Sequence, residues 1–577
     1  MDLYFVNHMV SSFFLSLVAG VPLLLFAGCC IPALRAISFR LLPWSPLPAL
    51  LAVLFATSGI EAHVAWFFMG STMGLDATGR IFLGFTAVIW LFAAQSVMEK
   101  FRHDARRFAF AGYFFTSMAG NFGLILAREI LGFYLFFALM SFSAYGLIVH
   151  TRSRESLKAG RVYLMLVFLS ELAMFTGLVI LGIQGSPAGF STVLLLLLYI
   201  AFGIKVGALP FQSWMVPSYQ QIPVPAATAL AGAMVNAGIL GWVRFLPFGH
   251  VALPGGGAFF ILMGAAAALY GVVFGLYQER IGRLLASSSI SQMGLVTMIG
   301  GYGLLSEAGG RSALVLMTLF GLHHSLAKSS LFLGYDMAER GIRLRGTILL
   351  AGILVPCLSL AGLPVTSGAM LKGGLKELAG LEHGPWYIFG KVFLPFSSLG
   401  TTILMLHCTR LFRRLGRTES VGVGKMAMLR WLISIGAVIA VPWMWPPLQE
   451  LGLHSLELQT LLQALWPVFL GLVLALAWFF LGSPLPGRGK DVADFDSLVR
   501  RAYGGFMQGL SAVTGIVDRA GESLKPGRLK RFYKPVAAVT GGPGKWEKVL
   551  GRWSVVGLCY LLICILLFII MLSGMVL

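Results

Sequence analysis

Residues 194–246 read LLLLLYIAFGIKVGALPFQSWMVPSYQQIPVPAATALAGAMVNAGILGWVRFL. The stretch opens as an apolar helix, carries one lysine, Lys205, and then meets Pro210. Gln212, Trp214, Pro217, Pro223 and Pro225 follow before a second apolar helix begins. A lysine in hydrocarbon is costly unless it faces water or a partner. A proline beside it frees backbone carbonyls, and that is tolerated at membrane depth only where the broken helix is buried in protein or lines a polar cavity. A charge at a helix break is an arrangement suited to an ion pathway. The competing reading, a lysine snorkelling to the interface, fits less well because apolar residues both precede and follow it.

The rest of the chain supplies the solvent for that reading. Its 577 residues are 58% hydrophobic and only 11% charged, with a mean hydropathy of +0.85. A water-soluble domain carries about twice that charge, so the expected fold class is an all-α polytopic membrane protein. The first ten residues, MDLYFVNHMV, lack a basic n-region, so no cleavable signal peptide is expected. The net charge of +20 does not point to nucleic acid, because the basic residues sit in short loops and one tail. Six cysteines (Cys29, Cys30, Cys357, Cys408, Cys559 and Cys564) lie in or beside apolar runs without a paired CxxC. Neither a metal cluster nor a disulfide framework is expected, and no cofactor motif is present.

At about twenty apolar residues per span, hydropathy predicts about sixteen transmembrane helices. They fall near 10–30, 47–66, 81–98, 108–126, 130–150, 161–183, 190–216, 223–246, 256–277, 286–304, 311–336, 346–382, 386–412, 427–446, 463–482 and 554–576. Basic residues cluster after the odd-numbered spans, as with Lys100, Arg102 and Arg106 or Arg152, Arg154 and Lys158. That asymmetry puts these loops in the cytoplasm and both termini outside.

Span twelve repeats the pattern of span seven: Pro364 precedes Lys372 in AGLPVTSGAMLKGGLK. The two are five spans apart, and an odd offset reverses direction, which predicts two inverted five-helix repeats with broken helices. Between them, in LFGLHHSLAKSSLFLG, His324 and Lys328 are four residues apart and share a helix face, whereas His323 points elsewhere. Two ionisable groups in one span suit a hydrated path, since neutral histidine can pass a proton onward. The plainer alternative is a satisfied core histidine beside an interfacial lysine.

KVGALPFQSWMVP with IPVPAATALAGAMVNAG, GLPVTSGAMLK, LLASSSISQMG and the HHSLAK segment together resemble the antiporter-like subunits of respiratory complex I, of multisubunit sodium/proton antiporters and of energy-converting hydrogenases. The likeness covers roughly residues 70 to 415, and it implies the same inverted-repeat architecture with Lys205 and Lys372 as the charges of the two broken helices. The departures are specific. Ala138 stands in LFFALMSFSAY where the family has a glutamate, Ala231 and Gln212 stand for histidines, and Asn236 stands for the lysine of M-V-K-A-G. The glutamate is the usual partner of the span-seven lysine, so Lys205 has lost it; Glu171, at the centre of span six, is the nearest replacement. Glu129, at a helix start, reads instead as a dipole-satisfying residue.

Residues 483–553 change character, with thirteen Lys and Arg against six Asp and Glu. Apolar residues from Phe495 to Leu524 recur at three- and four-residue spacing, predicting an amphipathic helix over 491–524 of about 50 Å. It resembles the lateral helix of the family's distal subunits; a helix lying on anionic headgroups is the alternative.

The expected organisation is N-terminal helices over 1–107, two half-channels over 108–246 and 256–412, C-terminal helices over 427–482, the basic segment 483–553 and a final span in 554–577. The expected function is ion, above all proton, translocation by Lys205, Glu171, His324, Lys328 and Lys372, beside breaks at Pro210, Pro223, Pro225 and Pro364. The resemblance implies a subunit without a catalytic centre, working with other membrane subunits and a peripheral redox module of hydrogenase or complex I type in a prokaryotic cytoplasmic membrane. The second half-channel, richer in ionisable groups, is expected to carry more of the traffic. The alternative is a degenerate structural subunit that anchors partners without moving ions.

Overall fold

The computed structural model describes residues 2–56, 59, 61–64, 71–184, 189–340, 346–415, 425–444 and 457–480. The expected 491–524 helix, the basic segment 483–553 and the final span lie outside the described residues. Ten helices among those described are long and apolar enough to cross a membrane. Shorter apolar helices, among them Thr192–Val206 and Ile348–Ala361, belong to interrupted spans.

Helix α1 spans Asp2–Cys30, α2 Arg35–Leu41 and α3 Leu47–Phe55. The span expected over 47–66 is corrected here. The apolar helix ends at Phe55, Ala56 turns extended, and Gly59 adopts φ +83°. The chain then pairs β1, Glu61–Val64, antiparallel with β2, Ser71–Gly74, with Glu61 opposite Gly74 and Val64 opposite Ser71. Nine apolar residues cannot cross a bilayer, so the membrane-length unit begins earlier and runs Arg35–Phe55 through α2, a 3-10 turn and α3. Among the described residues the helices are thus joined by one short β-ribbon.

The following helices keep close to the hydropathic spans: α4 Ala77–Lys100, α5 Arg107–Leu126, α6 Ile130–Ile148 and α7 Arg154–Gln184. Asp76 caps α4 by accepting from Gly79 N at 2.7 Å. Glu129 sits before α6 and accepts from the backbone N–H of Thr72, tying the ribbon to the bundle. Half-buried Arg244 donates to the carbonyls of Leu124 (3.2 Å), Ala127 (2.5 Å) and Ile125 (2.5 Å), which α5 leaves open at its end.

The stretch around Lys205 divides into α8 Thr192–Val206, a 3-10 turn at Gln212–Trp214, α9 Met215–Gln221, α10 Val224–Ala229, a π-helical turn at Leu230–Met234 and α11 Asn236–Phe245. Gly207 ends α8 in the left-handed conformation, φ +75°, and Pro210 keeps it from resuming. Pro223 and Pro225 do not break a helix but open one: Pro223 is the N-cap of α10 and Pro225 lies in its first turn.

Then come α12 Pro254–Leu276, α13 Ile281–Leu305, α14 Glu307–Glu339, α15 Gly346–Ala361, α16 Ser367–Gly380, α17 Pro385–Leu415, α18 Lys425–Met444 and α19 Leu458–Phe480. Helix α13 is buried along its length except at Arg283. Arg430 of α18 forms a bidentate pair with Glu99 of α4 at 2.6 and 2.7 Å, and Arg340 joins the same carboxylate at 3.0 Å. Those bonds bind α18 to the basic-loop ends of α4 and α14.

Candidate functional site

Burial is where the charged residues of this chain depart from habit. Lys205 is 3% exposed, Lys328 0%, Lys372 9%, Glu171 5% and His324 0%. Such groups persist inside proteins only when hydrogen-bonded, paired or hydrated. Each lysine has found an oxygen, and none of the three closes a salt bridge among the described residues.

Lys205 lies in the last turn of α8 and donates to Ser141 Oγ of α6 at 3.4 Å and to Tyr163 Oη of α7 at 3.3 Å. Tyr163 in turn donates to Ser141 O at 2.8 Å. The ammonium also stands 5.8 Å from the ring centroids of Phe137 and Tyr163, a cation–π distance. Glu171, two turns beyond Tyr163 on α7, couples electrostatically to Lys205 and approaches the same Ser141 without closing a hydrogen bond. The carboxylate that couples to Lys205 therefore comes from α7, while Ala138 on α6 offers none. Ser141 and Tyr163 went unnoticed in the sequence, because a serine and a tyrosine in apolar runs carry no signal until the fold sets them against a lysine.

Asn236 opens α11, two residues after the π-turn ends at Met234. Its Nδ2 donates to Gly232 O at 2.8 Å and to Ser325 Oγ of α14 at 2.7 Å. Asn236 therefore joins the first broken segment to the helix that carries the histidines. Ala231 sits inside the π-turn, fully buried and without a polar atom.

On α14, Lys328 donates to Leu285 O of α13 at 2.9 Å, and His324 lies one turn away and couples to it. Both ring nitrogens of His324 are buried without a hydrogen-bond partner. His323 does leave that shared face: its Nδ1 lies 2.7 Å from Ser367 Oγ, the first residue of α16, with Ser359 Oγ 3.3 Å beyond.

The second break lies between α15 and α16 at Gly362–Leu363–Pro364–Val365–Thr366. Gly362 takes φ +90° and Val365 φ +69°. For a β-branched residue that conformation costs about 1–3 kcal/mol, which the surrounding packing must over-determine. Lys372 folds back to donate to Ala361 O at 2.8 Å. A Cβ at position 362 would stand 3.0 Å from Lys372 Cδ, so glycine makes room for that return.

Among the described residues a cavity of about 540 Å³ opens at the basic-loop ends, lined by Lys100, Asp104, Arg106, His150, Tyr219 and Glu339 among others. Tyr219 at its wall packs edge-on against Phe332, 5.7 Å between centroids, one turn past Lys328. Gln292, Ser289 and Ser291 on α13 are fully buried with unpartnered side-chain atoms. Orphaned polar atoms at this density call for ordered water.

Residues 127–389 match the family model of the NADH:quinone oxidoreductase/Mrp antiporter transmembrane region. Hydrogenase-4 component B of Escherichia coli (strain K12) is 25% identical over 299 residues, 46% of this chain and 44% of that protein. NADH-quinone oxidoreductase subunit N of Ectopseudomonas mendocina (strain ymp) is 28% identical over 322 residues, 52% of this chain and 65% of that protein. The chain thus spans about half to two thirds of the length of these relatives. Among solved structures, the Mrp complex from Dietzia sp. DQ12-45-1b superposes with a TM-score of 0.70 at 19% identity, covering 94% of this chain and 63% of that one. The archaeal membrane-bound sulfane sulfur reductase superposes at 0.58 and 18% identity, covering 80% and 98%. The fold is that of a polytopic helical membrane protein with buried lysines beside two helix breaks. Over residues 127–389, somewhat under half of its length, the chain is thus similar to membrane subunits of complex I and hydrogenase type, and its fold is like that of the Mrp complex.

Proposed function

We propose that the chain moves ions, specifically protons, across a prokaryotic cytoplasmic membrane as one subunit of a redox-driven complex of hydrogenase or complex I type. The observation that carries this reading is three buried lysines, two beside helix breaks, each held by hydroxyls or carbonyls rather than by a fixed counter-ion. A permanently paired lysine is inert; one held by neutral oxygens can release and retake a proton as its surroundings change. Lys205, Lys328 and Lys372 would load in turn, with Glu171 switching the first and His324 exchanging protons with Lys328 one turn away on α14. Two inverted five-helix repeats would account for the matched pattern of proline and lysine. The 540 Å³ cavity would admit protons from the cytoplasmic side.

Partners would be further membrane subunits and a peripheral redox module, with no cofactor held by this chain. Glu171 beside Lys205 favours a working first half, and with it transport over a purely anchoring role.

The test is proton pumping by the intact complex in vesicles, comparing Lys205→Ala with Lys372→Ala. Loss of pumping with redox turnover retained in either variant supports the reading. Undiminished pumping in both would leave the anchoring subunit as the better description.

A further inference from the structure

We propose that His323, together with Ser367, is the relay that hands a proton from α14 to Lys372 across the second break. This rests on the proton-transport reading above. The neighbouring His324 faces Lys328 by helical spacing, but both its nitrogens lack partners and no contact takes it to α16. His323 makes that contact. Its Nδ1 sits 2.7 Å from Ser367 Oγ, its ring is 3% exposed, and its Nε2 is buried and free to accept.

Close approach of the three helices is built in at Gly368. A Cβ there would lie 1.7 Å from Ser359 O and 3.3 Å from His323 Cε1, so only glycine lets the start of α16 press against both α14 and α15. The charged groups that face the imidazole are Lys372 from α16 and, through His324 on its own helix, Lys328.

The proton count closes without any further reactant. A proton leaving the Lys328 ammonium reaches His323 Nε2 by way of His324 and gives an imidazolium. The Nδ1 proton then passes to Ser367 Oγ as the hydroxyl's own proton moves on to the neutral amine of Lys372. Lys328 ends neutral, Lys372 ends charged, and the ring is left with its proton on Nε2. One tautomeric exchange resets it.

The experiment uses the intact complex in vesicles. His323→Asn keeps an amide able to bond Ser367 but has no titratable nitrogen to pass a proton; Ser367→Ala removes the acceptor, and Ser367→Thr keeps it. Expected are a loss of pumping of at least tenfold in His323→Asn and Ser367→Ala, rescue in Ser367→Thr, and assembled complex in all three. Lys372→Ala is run alongside. Should Lys372→Ala stop pumping while His323→Asn and Ser367→Ala pump at the native rate, the relay is wrong and the transport reading stands. Should Lys372→Ala itself be silent, the relay falls, and the transport reading falls with it only where Lys205→Ala is silent too. Equal loss in Ser367→Ala and Ser367→Thr would mark Ser367 as packing and also overturn the relay.

Discussion

Lys372 Nζ donates to Ala361 O across 2.8 Å, so the lysine of α16 closes over the unfinished end of α15. A helix leaves its last carbonyls unpaired and carries partial negative charge there, which a cation satisfies well. The same ammonium that would carry a proton is therefore also a helix cap.

Replacing Lys372 should separate these two roles. Lys372→Met removes both the cap and the titratable group, whereas Lys372→Arg keeps a charge that does not release its proton. Pumping should fall at least tenfold in both, while the thermal midpoint of the purified complex falls only in Lys372→Met. A Lys372→Arg variant that pumps normally would mean that its charge matters and its titration does not.

The carboxylate beside Lys205 should be movable. Ala138 and Ser141 are three residues apart on one face of α6, and Ser141 touches both Lys205 and the neighbourhood of Glu171. Glu171→Gln should lower pumping severalfold, and Ala138→Glu added to Glu171→Ala should restore part of it. Restored pumping is read in vesicles. No change in Glu171→Gln would show the carboxyl to be a spectator.

Arg244 serves the scaffold. Its three bonds to the end of α5 should make Arg244→Leu destabilising by about 3 kcal/mol, from charged hydrogen bonds lost and carbonyls left open. Thermal unfolding of the purified protein checks this, and a shift within error of zero would contradict it. Per assembled complex, pumping should be unaltered.

At His150, after α6, burial holds the imidazolium below the ordinary histidine value of 6.5, although Asp104 at 3.3 Å pulls the other way. The folded loop thus binds the proton less readily than the unfolded chain. Stability is full above 6.5 and declines as pH falls below it, until the folded group protonates too. Thermal midpoints at about pH 7.5 and about pH 5.5 should differ less in His150→Gln than in the native protein. A native protein steadier at the lower pH would reverse the sign.

Lys205 with Pro210, and Lys372 with Pro364, could be read from the sequence because proline and charge are each rare in apolar spans, and their coincidence rarer. His324 and Lys328 were legible from spacing alone. Partners were not. Tyr163, Ser141 and Ser367 acquire meaning only through contacts between separate helices, which no local pattern encodes. The ribbon at β1 and β2 was hidden for a different reason: the apolar run through Phe55 looks like the start of a span, and hydropathy cannot see that Gly59 turns the chain aside. Pro223 and Pro225 looked like breakers but occupy positions where proline starts a helix.

The π-turn at Leu230–Met234 has a wider consequence. It accommodates one residue more than an α-helix would in the same rise, which advances the phase of α11 by about 100° relative to α10. Asn236 meets Ser325 only in the advanced phase. Deleting one residue from the turn would restore regular helix and swing Asn236 off α14, leaving every later side chain of α11 on the wrong bearing. An inserted residue is thus a means of re-aiming a whole helix without changing its sequence, and the bond from Asn236 of α11 to Ser325 of α14 depends on that single extra step.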